Sequence, residues 1–230
     1  MLNKLLSIIF ALGILIWNPY PLQIAELKTF DWLIMNTEPV QNNNILIVDL
    51  DENFIQEYGG WPLPRTAYAD LITTTSAIPG ITVLMPNADI RDTRNDDILA
   101  LRMNYIPTVL ATAASTQVST EGPHVGTAQL GEDPLPWLYQ YPGILPTEST
   151  LKEKASGIGV VTATPEIDGV TRRIPLVVNV GSKLYPSVAL ELLRVAVQDP
   201  SYQLKTTEEG VTWVRICLLY TSPSPRDDGV

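Results

Sequence analysis

The chain has 230 residues, 45% of them hydrophobic, enough for one large domain or two small ones. Its 15 basic and 25 acidic residues leave a net charge of −10, which repels phosphate backbones and anionic lipid surfaces and excludes nucleic acid as an expected partner. The one cysteine, Cys217, excludes an internal disulfide and a cysteine-rich metal site.

Leu5 to Trp17 is a run of apolar and small residues behind Lys4 and ahead of Asn18-Pro19-Tyr20-Pro21. Its length fits a signal-peptide core better than a span, but no clear Ala-x-Ala cleavage site follows. Counted from Leu2 to Tyr20, with Trp17 and Tyr20 at the interface and Lys4 snorkelling, it makes a marginal span. We read residues 1–21 as an uncleaved signal anchor, with a cytoplasmic N-terminus and the chain outside. From Leu22 to Met35 the spacing of Leu22, Ala25, Leu27, Phe30, Leu33 and Ile34 predicts an amphipathic helix rising from the bilayer, ended by Glu38-Pro39.

Ile45-Leu46-Ile47-Val48 reads as a buried strand delivering Asp49, Asp51 and Glu52 to its C-terminal edge. Gly59-Gly60-Trp61-Pro62-Leu63-Pro64 is a stiff loop in which the glycines permit positive φ and each proline extends the residue before it. From Arg65, the spacing of Tyr68, Leu71, Ile72, Thr75 and Ile78 predicts a helix stopped by Pro79-Gly80. Ile81 to Met85 is again strand, completing a βαβ unit with a right-handed crossover. A polar loop over Pro86–Asn95, a helix from Asp96-Asp97 to about Asn104 with its acids at the positive end of the dipole, and a parallel strand over Thr108–Ala113 follow.

Residues 114–156 lack a sustained period and read as a functional or partner-facing insertion; His124 within it is a solvated loop histidine. Gly157 to Ala163 resumes strand character. Asp168-Gly169 signals a hairpin whose return strand, Thr171–Val180, is interrupted by Pro175 at an edge or bulge. Gly181-Ser182 turns the chain into a closing helix over Pro186–Val197. Together these elements predict an α/β, three-layer-like sandwich with a mixed sheet, a parallel βαβαβ half plus an antiparallel hairpin, preceded by the N-terminal membrane helix.

Two motifs stand out: Asp51 followed by Gly60-Trp61-Pro62-Leu63-Pro64-Arg65, and Ile167-Asp168-Gly169-Val170-Thr171-Arg172-Arg173-Ile174-Pro175-Leu176. In this order and spacing they resemble the second type of CHASE domain (cyclase/histidine-kinase-associated sensing extracellular), over about residues 22–197. The resemblance implies an outward-facing, non-catalytic sensor of a bacterial membrane receptor, with a cyclase, histidine kinase or Ser/Thr kinase further along the chain. It implies a small-molecule or protein stimulus, a homodimer, and no cofactor. One departure is Met85-Pro86-Asn87, which stands where family members commonly carry an aspartate. Cys217 to Asp227 resembles a translated sequencing adapter. The expected organisation is therefore an anchor at 1–21, a sensory domain at 22–216 truncated near Ile216, and an artefactual tail at 217–230.

Asp51, Trp61, Arg65, Asp168 and Arg172 are the candidate ligand-binding residues. Arg65, at the end of its loop and opposite the strand tip bearing Asp49 and Asp51, either bridges to an aspartate and locks loop to sheet or meets an anionic ligand. Trp61 is a packing anchor or a stacking platform. Arg172 and Arg173 alternate faces if they lie in a strand. Two alternatives to a sensor are an exported haloacid-dehalogenase-like phosphohydrolase using Asp49 and Asp51 and a secreted binding module. Against the first, no lysine follows the third strand and no strand-end acidic pair suits Mg²⁺. As a calcium loop the stretch fails where Phe54 replaces the turn glycine, so no metal is expected.

Overall fold

The computed structural model describes residues 13, 17–38, 44–78, 80, 83–86, 94–117 and 122–216. Helices α1 (Tyr20–Met35), α2 (Glu52–Glu57) and α3 (Arg65–Thr75) precede strand β1 (Val83–Pro86), helix α4 (Asp96–Arg102) and strand β2 (Thr108–Thr112). Strands β3 (Ala114–Ser115), β4 (Thr127–Gly131), β5 (Gln140–Tyr141) and β6 (Gly143–Ile144) follow, with a 3-10 turn at Leu135–Trp137. Then come α5 (Ser149–Lys154), β7 (Gly157–Val160), β8 (Val177–Val180), β9 (Lys183–Pro186), α6 (Val188–Ala196), β10 (Tyr202–Thr207) and β11 (Gly210–Arg215).

The chain divides into two compact units, one of residues 1–49 and 164–173, the other of residues 50–163 and 174–230. In the larger, β1, β2 and β7 form a parallel sheet in that order. Every residue of β2 and β7 is buried, as in strands covered on both faces. Ile158 joins a core with Tyr68 and Ile72 of α3, Leu99 of α4 and Leu151 of α5. The neighbouring positions Gly157 and Gly159 face α6, because side chains alternate along a strand. An added Cβ would lie 2.3 Å from Glu191 Oε1 at Gly157 and 2.4 Å from Val188 Cα at Gly159, so glycine is what lets α6 approach the sheet. Helices, parallel sheet and α6 make three layers; two of the sheet's three strands are those expected from the sequence, and the third is β7 rather than Ile45–Val48.

Around this sandwich stand a β8–β9 antiparallel hairpin with β5 parallel to β8, and a β10–β11 hairpin with β4 parallel to β10. Val178, Val180 and Tyr185 pack with Val160, while Leu184 and Leu190 pack with Tyr202 and Leu204. The smaller unit holds α1 and a tight turn in which Gly169 N–H donates to Glu166 O (2.9 Å) and Glu166 N–H to Val170 O (3.0 Å).

Several expectations are corrected. Ile45–Val48 is irregular and exposed: among the described residues it has no ladder partner, and an apolar run without one does not form a strand. The antiparallel hairpin turns at Gly181-Ser182, not at Asp168-Gly169; residues 161–176 join no strand, and Pro165 and Pro175 have no N–H to donate there. Segment 114–156 is not structureless; its strands of two to five residues are too short to show a period. The domain does not close on α6, since β10–β11 follows. Helix α1 has no buried residue, so it is not a helix with one packed apolar stripe. Among the described residues no helix is long and apolar enough to cross a membrane. The anchor expected at 1–21 falls mostly outside the described residues, as do the polar loop at 87–93 and the tail at 217–230.

Candidate functional site

The densest charged constellation lies in the smaller unit. The Glu166–Val170 turn places Asp168 four residues before Arg172, and the guanidinium forks onto it: Nη1 donates to Asp168 Oδ1 at 2.8 Å and Nη2 to Oδ2 at 2.7 Å. A second fork reaches α1, with Nε donating to Asp31 Oδ1 at 2.7 Å and Nη2 to Oδ2 at 2.8 Å. Lys28, one helical turn before Asp31, sets its Nζ 3.4 Å from Asp168 Oδ2. Two cations and two carboxylates thus balance. Val170 N–H also donates to Asp168 Oδ1 at 3.2 Å.

Arg172 and Asp168 are nearly buried, with side chains 6% and 8% exposed, whereas Asp31 is 33% exposed. Hydrogen bonds from Arg172 hold the Asp168 carboxyl well below the usual carboxylate range and lower that of Asp31. Acceptance by Asp31 and then by Asp168 raises the Arg172 guanidinium in turn. Bidentate, charge-assisted pairs of this kind fix orientation as well as energy. The arrangement is a latch between a helix and a turn 141 residues apart in sequence.

The other candidate residues belong to the larger unit. Asp51 caps α2, its Oδ1 accepting from Phe54 N–H at 2.8 Å. It does not sit at a strand tip, and the strand-end carboxylate pair that a phosphohydrolase would need is not formed. Trp61, expected as a packing anchor, is 67% exposed on a loop where Gly59 and Gly60 have φ of 88° and 103°. Arg65 does form an internal bridge, but to Asp96 on α4 rather than to Asp49 or Asp51. Both partners are buried, and Asp96 Oδ2 has no hydrogen-bond partner. So Asp168 and Arg172 come together, while Asp51, Trp61 and Arg65 each have a separate environment.

Two features escaped the sequence reading. Glu191 is fully buried and takes a bidentate pair from Arg194 at 2.9 Å on each oxygen; Arg194 also donates to Ser156 O and Asp199 O. The i, i+3 spacing was a visible signal for that pair, though not for its burial. A crevice of about 310 Å³ is lined by Gln198, Asp199, Ser201, Gln203 and Arg215, among others. His124 is exposed on its loop, and partial desolvation lowers its pKa. Among the described residues no cluster of three His, Cys, Asp or Glu could hold a metal ion.

No curated protein and no solved structure matches the chain. The family model for the CHASE2 domain matches residues 6–226, wider at both ends than the region read from the motifs and extending into the segment read as a tail. That family comprises extracellular sensory domains. With nearly its whole length matched, and with both motifs present, the chain belongs to the CHASE2 domain family.

Proposed function

We propose that this chain is the outward-facing sensing portion of a bacterial membrane receptor, anchored through residues 1–21, whose output is a cyclase or a kinase further along the chain. Family membership supports the sensing role, and the apolar run Leu5–Trp17 ahead of α1 supports the anchor. The carrying observation is the latch: Arg172 joins α1, which follows this run in the chain, to a turn distant in sequence. A stimulus that prefers one of two arrangements of that turn shifts their populations, and α1 carries the shift toward the membrane. Asp31, Asp168 and Arg172 serve transmission in this reading, with no catalytic role.

The test is topology. With the full chain expressed in bacteria, external protease should cleave within residues 44–216 of intact cells once the outer envelope is opened. Complete protection of that region while the inner membrane remains sealed would refute the assignment.

A further inference from the structure

We propose that the crevice between the loop after α6 and the end of β11 binds a small zwitterion of the amino-acid class, its carboxylate on Arg215 and its ammonium group at Asp199. Such a ligand would be the stimulus of the sensory reading, on which its regulatory meaning rests. Binding itself is tested apart from topology, so either reading can fail alone.

The crevice encloses about 310 Å³, at the low end for small-ligand sites, which admits a molecule of amino-acid size rather than a folded partner. One wall is the loop of residues 197–201; the other is Gln203 and Arg215, direct neighbours across the β10–β11 ladder. Buried groups hold the loop. Arg194 Nη1 donates to Asp199 O at 2.6 Å, while its Nε and Nη2 donate to the fully buried Glu191 carboxylate. Asp199 N–H donates to Arg194 O at 3.0 Å, and Ser201 N–H to Asp199 Oδ1 at 3.0 Å. Gln198 takes the left-handed position that ends a helix, with φ of 57°, where glycine is the usual choice. The wall is therefore ordered in advance, which lowers the cost of binding.

The lining carries one charge of each sign. Arg215 Cζ lies 4.6 Å from the centre of the Trp213 ring, a cation–π contact that steadies the guanidinium. Its planar fork of N–H donors is otherwise unused: among the described residues nothing accepts from it. A carboxylate matches that fork with two parallel hydrogen bonds. Asp199 supplies the negative charge for an ammonium group, and Gln198, Ser201 and Gln203 add amide and hydroxyl groups that both donate and accept. Val197 and Pro200 leave an apolar stretch for a side chain. A simple anion would leave Asp199 uncompensated and would meet the field of a chain of net charge −10; a zwitterion meets neither penalty.

The experiment uses the full chain in mild detergent, titrated calorimetrically with each proteinogenic L-amino acid and with propionate and ethylammonium as single-charge probes. At least one amino acid should bind saturably, at least tenfold more tightly than either probe. Arg215→Gln should weaken that binding at least tenfold, the loss of a charge-assisted pair of hydrogen bonds. Arg215 is exposed, so the unliganded variant should melt as the parent does. Asp199→Asn keeps an oxygen for Ser201 N–H, removes only the charge, and should also weaken binding at least tenfold. Lys205→Gln makes the same change of charge as Arg215→Gln at an exposed position of β10 outside the crevice, and should leave affinity within twofold. No saturable binding of any amino acid, a probe bound as tightly as the best amino acid, or affinity unaltered by either crevice substitution would each overturn the proposal. So would an equal loss in Lys205→Gln. None of these outcomes bears on the protease test of topology.

Discussion

Arg65 and Asp96 show what a buried charge does when its partner is removed. Both side chains are inside the larger unit, so truncating one leaves the other desolvated and uncompensated. Arg65→Ala should destabilise the larger unit by about 3–5 kcal/mol in urea unfolding of the full chain. Arg65→Met combined with Asp96→Leu should recover most of that loss, because no unpaired charge then remains buried. The sequence made Arg65 legible as an ion-pair former, since a guanidinium after a proline-rich loop has few other uses. It did not reveal the partner, which lies 31 residues on, at the start of a helix where an aspartate already has an adequate explanation in the helix dipole. The same limit applies at Arg172: Asp168, four residues before it, was within reach of local reasoning, and Asp31 was not.

Elements were legible where a period ran long enough. Helix α3 and strand β2 follow the predicted spans closely, because eleven residues at 3.6 spacing and a β-branched run are strong local signals. The strands of 114–156 are not, being held by distant partners such as β10 rather than by their own composition. Ile45–Val48 has strand composition without a neighbour, the converse case. The packing of α6 against β7 rests on two glycines whose role is invisible until helix and strand meet. Gly159→Ala puts a methyl against the Val188 backbone, which cannot yield as a flexible side chain would. The expected cost is about 1–3 kcal/mol, read as a lower melting temperature. The same substitution at Gly169, whose added Cβ meets nothing within 4 Å, tests the cost of its φ of 80° alone.

At the scale of the whole molecule, the charged latch and the buried Arg65–Asp96 pair fall in different units. The folded Asp168 carboxyl has its pKa depressed below the ordinary 3.8, so its contribution to the latch is present above that value and lost as pH falls through the folded pKa. The latch should therefore hold throughout pH 5–8 and open only in strong acid. The Arg172 Nε–H resonance, which reports the bond to Asp31, should keep its hydrogen-bonded shift through the ordinary carboxylate range and move only in stronger acid, because the Asp31 carboxyl is held below its usual pKa as well. Asp168→Asn should weaken the latch even at neutral pH while leaving amide exchange in β2 and β7 unaltered. A titration of the latch near neutrality would contradict this ordering.

Helix α1 buries none of its side chains, and its described tie to the Glu166–Val170 turn runs through Lys28 and Asp31. Such a shaft is free to drift in sequence everywhere except at two points of attachment, but its phase is not free. One residue inserted ahead of Lys28 would rotate everything upstream by about 100° relative to the turn, and four inserted residues would nearly restore the original facing. The tolerance of this molecule to change near its N-terminus should accordingly be periodic, following the pitch of the helix rather than the chemistry of the residues added.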